Sequence, residues 1–301
     1  MLNRFSLPAR RSVRRWLYPF ISFAIALGLV VGSPSPSPAL PWADLIFRGV
    51  QIIQLSKISD REEVAIGRQI NQQLVNSEFR LYRNRAINEY VDQIGQRLVA
   101  KSERPQIRYI FQVVEDDRVN AFATAGGYVY VTTGLMRTAD NEAQLASVLG
   151  HEAGHIEGRH LLQQMRQTAI ARGVATAAGL DRSTLAAIGV ELALKRPNSR
   201  QDEFEADERG LRILSRAGYA PSAMVAFMEK LLRGGSLPTF LSTHPNTKDR
   251  IEALKRSINT TNTTTSTTTS NTSNTGSTIS SSNGLDNAAY KAKIQPLLSR
   301  S

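Results

Sequence analysis

His151-Glu152-Ala153-Gly154-His155 places two imidazoles four residues apart, with a carboxylate directly after the first. On a helix, positions i and i+4 lie about 40° apart around the axis, so His151 and His155 project side by side from one face. Two neutral imidazoles so placed can share one metal ion, and zinc is the ion that suits them. Glu152, offset by one residue, stands beside the metal rather than under it. There it can take a proton from metal-activated water and later deliver it to a leaving amine. The chain has only four histidines, so this spacing is rare by chance. Leu145, Val148, Leu149 and Ile156 can bury the helix beside the motif, while small Ala153 and Gly154 leave room.

A catalytic zinc takes three protein ligands and keeps one position open. The chain contains no cysteine, so the third ligand must be His, Asp or Glu. His160 is nearest, but on a continuing helix it points about 140° away from His155, off the metal face. It reads as a polar surface or helix-end histidine. Asp202-Glu203-Phe204-Glu205-Ala206-Asp207 offers carboxylates instead. Glu203 and Asp207 share one helix face, so one can bind metal while the other accepts the spare N–H of a ligating histidine. Gly210, one turn further on, would let this helix approach the motif helix closely. Spacing alone leaves Glu203 and Glu205 both open as the ligand. The bland alternative is a solvated acidic face paired with Arg209 and Arg212.

The elements that must position these groups follow from periodicity and caps. Asp60 to about Ala100 is helical in pattern, with Val64, Ile66, Ile70 and Leu74, then Ile87, Val91, Ile94 and Leu98, recurring at three-and-four spacing. Arg108 to Val114 reads as a strand, and Ala121 to Thr132 as a hairpin turning at Gly126-Gly127. The motif helix begins near Asp140 or Asn141, either a suitable N-cap. Ala169 to Ala178 and Leu185 to Leu194 read as packed helices too short to span a membrane. Ser199 caps a helix over Gln201 to Ala217, and Pro221 opens one from Ser222 to Leu232. Ser257 to Asn283 is nearly all Ser, Thr and Asn, so 257–301 reads as a disordered tail with a short helical pattern at Ala288 to Leu298.

The net charge of +11 is concentrated at one end. Arg4, Arg10, Arg11, Arg14 and Arg15 precede any acidic residue, and the remainder is 32 basic against 26 acidic residues, or +6, without a basic block. Nucleic acid is therefore not an expected partner. The basic stretch, the apolar run Trp16 to Val31 and the small residues before Ala39 have the order of an export signal, 1–39, cleaved after Ala39. Uncleaved, residues 16–31 would anchor the chain to a membrane. Both readings place residues 40–256 outside the cytoplasm, in the periplasm or secreted.

Four pieces in order carry a family resemblance over roughly Asp60 to Leu254. They are Asn120-Ala121-Phe122 to Gly134-Leu135, the His151 to His155 motif, Glu203-Phe204-Glu205-Ala206-Asp207, and Ser242-Thr243-His244-Pro245 followed by Arg250. The chain resembles the gluzincin family that contains the CAAX prenyl endopeptidases, the HtpX heat-shock proteases, the mitochondrial Oma-type protease and periplasmic BepA. It is most similar to the soluble periplasmic branch. Two features depart from the family. There are no membrane spans around the motif, and a Ser/Thr/Asn stretch stands where BepA continues into tetratricopeptide repeats. The resemblance implies a mainly helical α+β zincin-type domain with a small sheet and one zinc ion per subunit. It prefers Glu203 as third ligand, with Glu152 catalytic and Asp207 and Arg250 behind the ligands. His244 is the histidine that can sit on the zinc and gate it. It further implies an endopeptidase acting on misfolded or misassembled envelope proteins, with an edge strand within Ala121 to Val131 pairing with the substrate. A zinc-binding chaperone or assembly factor with negligible turnover is the alternative.

Overall fold

The computed structural model describes residues 58–173, 182–195, 197–234, 238–268 and 283–299. The export or anchor segment, the end of the Ala169 to Ala178 stretch and residues 269–282 of the Ser/Thr/Asn stretch lie outside these residues.

Helix α1 (Asp60–Gln73) starts at a reciprocal cap, with Ser59 and Glu62 each accepting the other's backbone N–H. It buries Ile66 and Ile70 and ends in a wide turn over Leu74–Glu78. Helix α2 (Arg85–Val99) is capped by Asn84. The periodic stretch from Asp60 to Ala100 is thus two helices. Between them, Phe79 packs 5.3 Å from the Phe122 ring and Leu81 bridges to Val114 at the sheet, contacts that an unbroken helix could not make.

Strands β1 (Ile110–Val114), β2 (Ala121–Ala123) and β3 (Tyr128–Thr132) form a sheet in the order β1-β3-β2. β1 runs parallel to β3, and β2 pairs antiparallel with it as the expected hairpin. The turn puts Gly126 at φ 73° and Gly127 at φ 96°, a left-handed region that glycine enters without strain. β3 is buried on both faces. Its alternate side chains separate into Val129 and Val131 toward one core and Tyr128 and Tyr130 toward the other.

After β3 come α3 (Thr133–Thr138), α4 (Glu142–Glu157), α5 (His160–Ala171), α6 (Arg182–Lys195), α7 (Arg200–Arg216), α8 (Ser222–Arg233), the short α9 (Thr239–Thr243) and α10 (Thr247–Thr268). Helices α2, α4, α7 and α8 build the Val129 core, and α1, α5 and α6 build the Tyr130 core. Asn141, one of the two expected caps, accepts Gln144 N–H at the start of α4, and Ser199 accepts Asp202 N–H at the start of α7. α4 is buried along almost its whole length. It meets α7 at glycines. A Cβ on Gly154 would lie 2.5 Å from Ala206 O, and one on Gly210 would lie 2.9 Å from His151 Cα.

The helical pattern expected at Ala288 to Leu298 is present as two short helices, while the described residues on either side of 269–282 are ordered rather than disordered. α10 continues through the Ser/Thr/Asn residues to Thr268, and residues 283–299 pack against the body. There α11 (Asn287–Lys293) and α12 (Gln295–Leu298) bury Tyr290, Ile294 and Leu297. Gly284 O accepts Ala143 N–H at 2.8 Å in the first turn of α4, and Tyr290 Oη donates to Met136 O at 2.7 Å. Composition hid this because the burying residues are few and spaced among polar ones. Among the described residues no helix is long and apolar enough to cross a membrane.

Candidate metal centre

On α4, the His151 and His155 Nε2 atoms stand 3.1 Å apart. Two ring nitrogens held so close face a common centre. The Gly154 contact brings α7 against them, and Glu203 enters with Oε1 3.3 Å from His155 Nε2 and Oε2 3.6 Å from His151 Nε2. His244, which caps the C-terminus of α9, closes the group, with Nδ1 3.0 Å from Glu203 Oε1 and 3.3 Å from His151 Nε2. One donor atom from each of the four buried side chains lies within 4.8 Å of all the others. Nitrogen and oxygen donors about 2.1 Å from a tetrahedral ion stand roughly 3.4 Å from one another. The donor set therefore fits a four-coordinate metal ion.

Behind this cluster, His151 Nδ1 lies 2.9 Å from Asp207 Oδ1. Arg250 donates to both Asp207 oxygens at 2.7 Å, lies 2.5 Å from Glu203 Oε2 and reaches His244 O at 3.2 Å. Glu203 and Asp207 thus share one face of α7 as the spacing required, and Gly210 allows the close approach. Glu205, left open by the sequence, points away from the cluster, 3.6 Å from His160 Nε2 and paired with Arg209. Glu203 alone of the two meets His151 and His155.

Electrostatics separate the groups. Burial opposes ionisation of Glu203, yet His244, His151 and His155 outweigh it and hold its carboxyl well below the ordinary range. Burial likewise opposes a charge on His151, but Asp207 and Glu203 raise it to about 9. His155 lacks a carboxylate behind it, and burial drives it down to about 3. Glu152 is fully buried, with neither carboxylate oxygen hydrogen-bonded, and that burial pushes its carboxyl up. Its Oε1 lies 3.4 Å from His244 Nε2.

His160 departs from expectation. It is 1% exposed, and its Nδ1 stands 2.8 Å from His155 Nδ1. The motif helix does not continue to His160: α4 ends at Glu157, and Arg159 turns left-handed at φ 55° before α5 begins. His160 is a helix-end residue, but not a surface one. Sequence reasoning also missed Asn198, whose Nδ2 lies 3.4 Å from His155 Nε2 and whose Oδ1 accepts from Gln164. Its only signal is its place just before the α7 cap. Glu63 was missed too. It is buried on α1, pairs with Arg104 and Arg159, and thereby fixes the break between α4 and α5.

β2 is an edge strand, and His244 Nε2 lies 3.4 Å from its Ala121 O. A cleft bounded by Phe122, Ala125, Leu161 and Leu192 opens beside Glu152 and His155.

A helix bearing the two-histidine motif, met by a glutamate from a second helix beside a short sheet, defines a metallopeptidase domain of the gluzincin type. Residues 85–258 match Peptidase family M48, and the chain belongs to that family. It is 31% identical over 221 residues to the beta-barrel assembly-enhancing protease of Escherichia coli (strain K12), an alignment covering 68% of this chain and 45% of that protein. Mitochondrial metalloendopeptidase OMA1 of Schizosaccharomyces pombe is 32% identical, over 55% of this chain and 51% of its own length. Metalloendopeptidase OMA1 of Bos taurus is 30% identical, over 62% and 39%. The chain thus spans about half the length, or less, of these curated relatives.

Proposed function

We propose that this chain is a zinc-dependent endopeptidase. The observation that carries the reading is the convergence of His151, His155 and Glu203 on one buried point, with the carboxylate of Glu152, which accepts no hydrogen bond, beside it. His151 Nε2, His155 Nε2 and Glu203 would hold the zinc, a donor set that needs no thiolate. The chemistry such an ion supplies is polarisation of a peptide carbonyl and acidification of water. The protein's own groups do the rest. Glu152, raised by burial, is matched to accept a proton from water and return it to the leaving amine. Asp207 accepts the His151 Nδ1 proton and so turns the Nε2 lone pair to the centre. Arg250 locks Asp207 and Glu203 together. An extended substrate would pair with β2, which leads past Glu152.

His244 occupies the place where that substrate must come, touching Glu203, Glu152 and Ala121 O at once. It acts as a gate that must swing away before cleavage. One observation favours the second reading: four protein donors make a closed site, as in structural zinc centres, which suits an assembly factor with negligible turnover. The buried carboxylate of Glu152 has no purpose in such a site. Misfolded or misassembled envelope proteins are the proposed substrates. The basic-apolar N-terminus supports an extracytoplasmic location, in the periplasm or secreted and anchored if residues 16–31 are retained. The name of the Escherichia coli relative supports an envelope role.

The test is cleavage of casein and of an unfolded envelope protein by wild type, Glu152→Gln and His244→Ala, with zinc content determined for each. Glu152→Gln is expected to keep its zinc and lose activity by about 10²-fold or more. His244→Ala should keep its zinc and cleave faster than wild type. Zinc bound without cleavage by any of the three favours the assembly factor, and a wild type that binds no zinc defeats both readings.

A further inference from the structure

The metallopeptidase reading gives His151 a partner for its outer nitrogen, Asp207, and leaves the outer nitrogen of His155 facing His160. We infer, resting on that reading, that His160 is the positioning residue for His155. Its Nδ1 accepts the His155 Nδ1–H and thereby holds the His155 Nε2 lone pair on the metal. Two ring nitrogens 2.8 Å apart form a hydrogen bond only if one is protonated and the other is not. His155 Nε2 is committed to the cluster by its distances of 3.1 Å to His151 Nε2 and 3.3 Å to Glu203 Oε1. With Nε2 turned to the metal, the His155 proton would sit on Nδ1, and His160 Nδ1 would be the acceptor. Neutral His160 then carries its own proton on Nε2, the atom that faces Glu205 Oε2 at 3.6 Å. That is too long for a hydrogen bond, but a carboxylate on this side favours a proton there.

The backbone is built to allow the contact. Arg159 reaches its left-handed conformation with Nη2 donating to Ile58 O at 2.5 Å and Nε 3.0 Å from Glu63 Oε2. Gly158 leaves the space that the ring fills, since a Cβ there would lie 2.2 Å from His160 Nε2. His160 is 1% exposed, so solvent does not compete for the bond. The two histidines of the motif are consequently unlike ligands. His151 leans on a carboxylate, and His155 leans on an uncharged ring, which makes it the less electron-rich donor of the two.

The test uses the full chain and a fluorescent zinc chelator as competitor. His160→Phe fills the ring volume without an acceptor, whereas His160→Asn places Oδ1 where Nδ1 stood. The zinc dissociation constant is expected to rise about 10- to 100-fold in His160→Phe and to stay within about threefold of wild type in His160→Asn. Side-chain nitrogen NMR of the zinc-loaded wild type should show His155 protonated on Nδ1 and His160 on Nε2. Equal losses in both variants, no loss in either, or His160 protonated on Nδ1 would overturn the inference while leaving the peptidase reading intact. A wild type that binds no zinc would overturn both. The nitrogen spectrum needs no variant, so it decides the matter even where His160→Phe does not fold.

Discussion

Arg250 is the side chain on which the negative charge behind the site converges. It is 1% exposed and spans Asp207 and Glu203 with one planar fork, while its Nη1 also reaches the carbonyl of His244. Replacing it takes the guanidinium from two ionised, buried carboxylates and leaves them to the imidazoles of the site. Arg250→Met is therefore expected to destabilise the metal-free protein by about 3–5 kcal/mol, measured by denaturant unfolding. Arg250→Lys should recover only part of that, because an ammonium cannot bridge both acids. A loss below about 1 kcal/mol would mean that the acids are not held ionised by Arg250. At this scale the sequence showed His151, Glu152 and His155 clearly, since one helical period places all three. The choice between Glu203 and Glu205 was hidden, because it depends on which side of α7 faces α4. His160 was misplaced for a different reason. A positive φ at an arginine has no compositional marker, so the turn that swings the ring back toward His155 could not be foreseen.

Between elements, the site depends on how closely α4 and α7 approach. Gly154 and Gly210 remove the side chains that would separate the two axes, and Glu203 reaches the histidines only across that gap. Gly154→Ala would press a methyl to 2.5 Å from the Ala206 carbonyl oxygen, which is backbone and cannot rotate aside. The expected cost is about 1–3 kcal/mol, together with weaker metal binding as Glu203 is pushed outward. Calorimetry with and without zinc checks both. A variant that melts and binds like wild type would show that the helices can slide without loss. The legible parts of this level were those with local chemistry, namely the Ser199 cap, the Gly126-Gly127 turn and the start of α8. The split between α1 and α2 was not legible, because Phe79 and Leu81 leave the helical pattern to satisfy contacts with residues far along the chain.

Across the whole molecule, the sheet is a thin partition between two apolar cores, and the last described segment closes one of them. Tyr290, Ile294 and Leu297 bury there, each worth roughly 1.5–3 kcal/mol. A chain lacking residues 283–301 should therefore melt roughly 10 °C or more below the full chain. It should bind zinc less well at the same temperature, because the first turn of α4 loses the Gly284 contact. Thermal scans of the two proteins test this, and equal midpoints would mean that the segment rests on the surface without contributing. Nothing in the polar composition of this region announced the packing, which depends on three side chains meeting a surface made much earlier in the chain.

That separation has a consequence for biosynthesis. Asn287, the partner of the Asn141 side chain at the head of α4, follows it by 146 residues. A ribosome adding about 5–20 residues per second needs roughly 7–30 s to traverse that interval. Throughout it, the helix that carries both histidines exists without the carboxylate of α7 for much of the time, and without its terminal clasp for all of it. A nascent chain thus carries the motif helix through that interval without the contacts that Gly284 and Asn287 make at its head. The start of the helix that carries both histidines is therefore finished by residues made long after it.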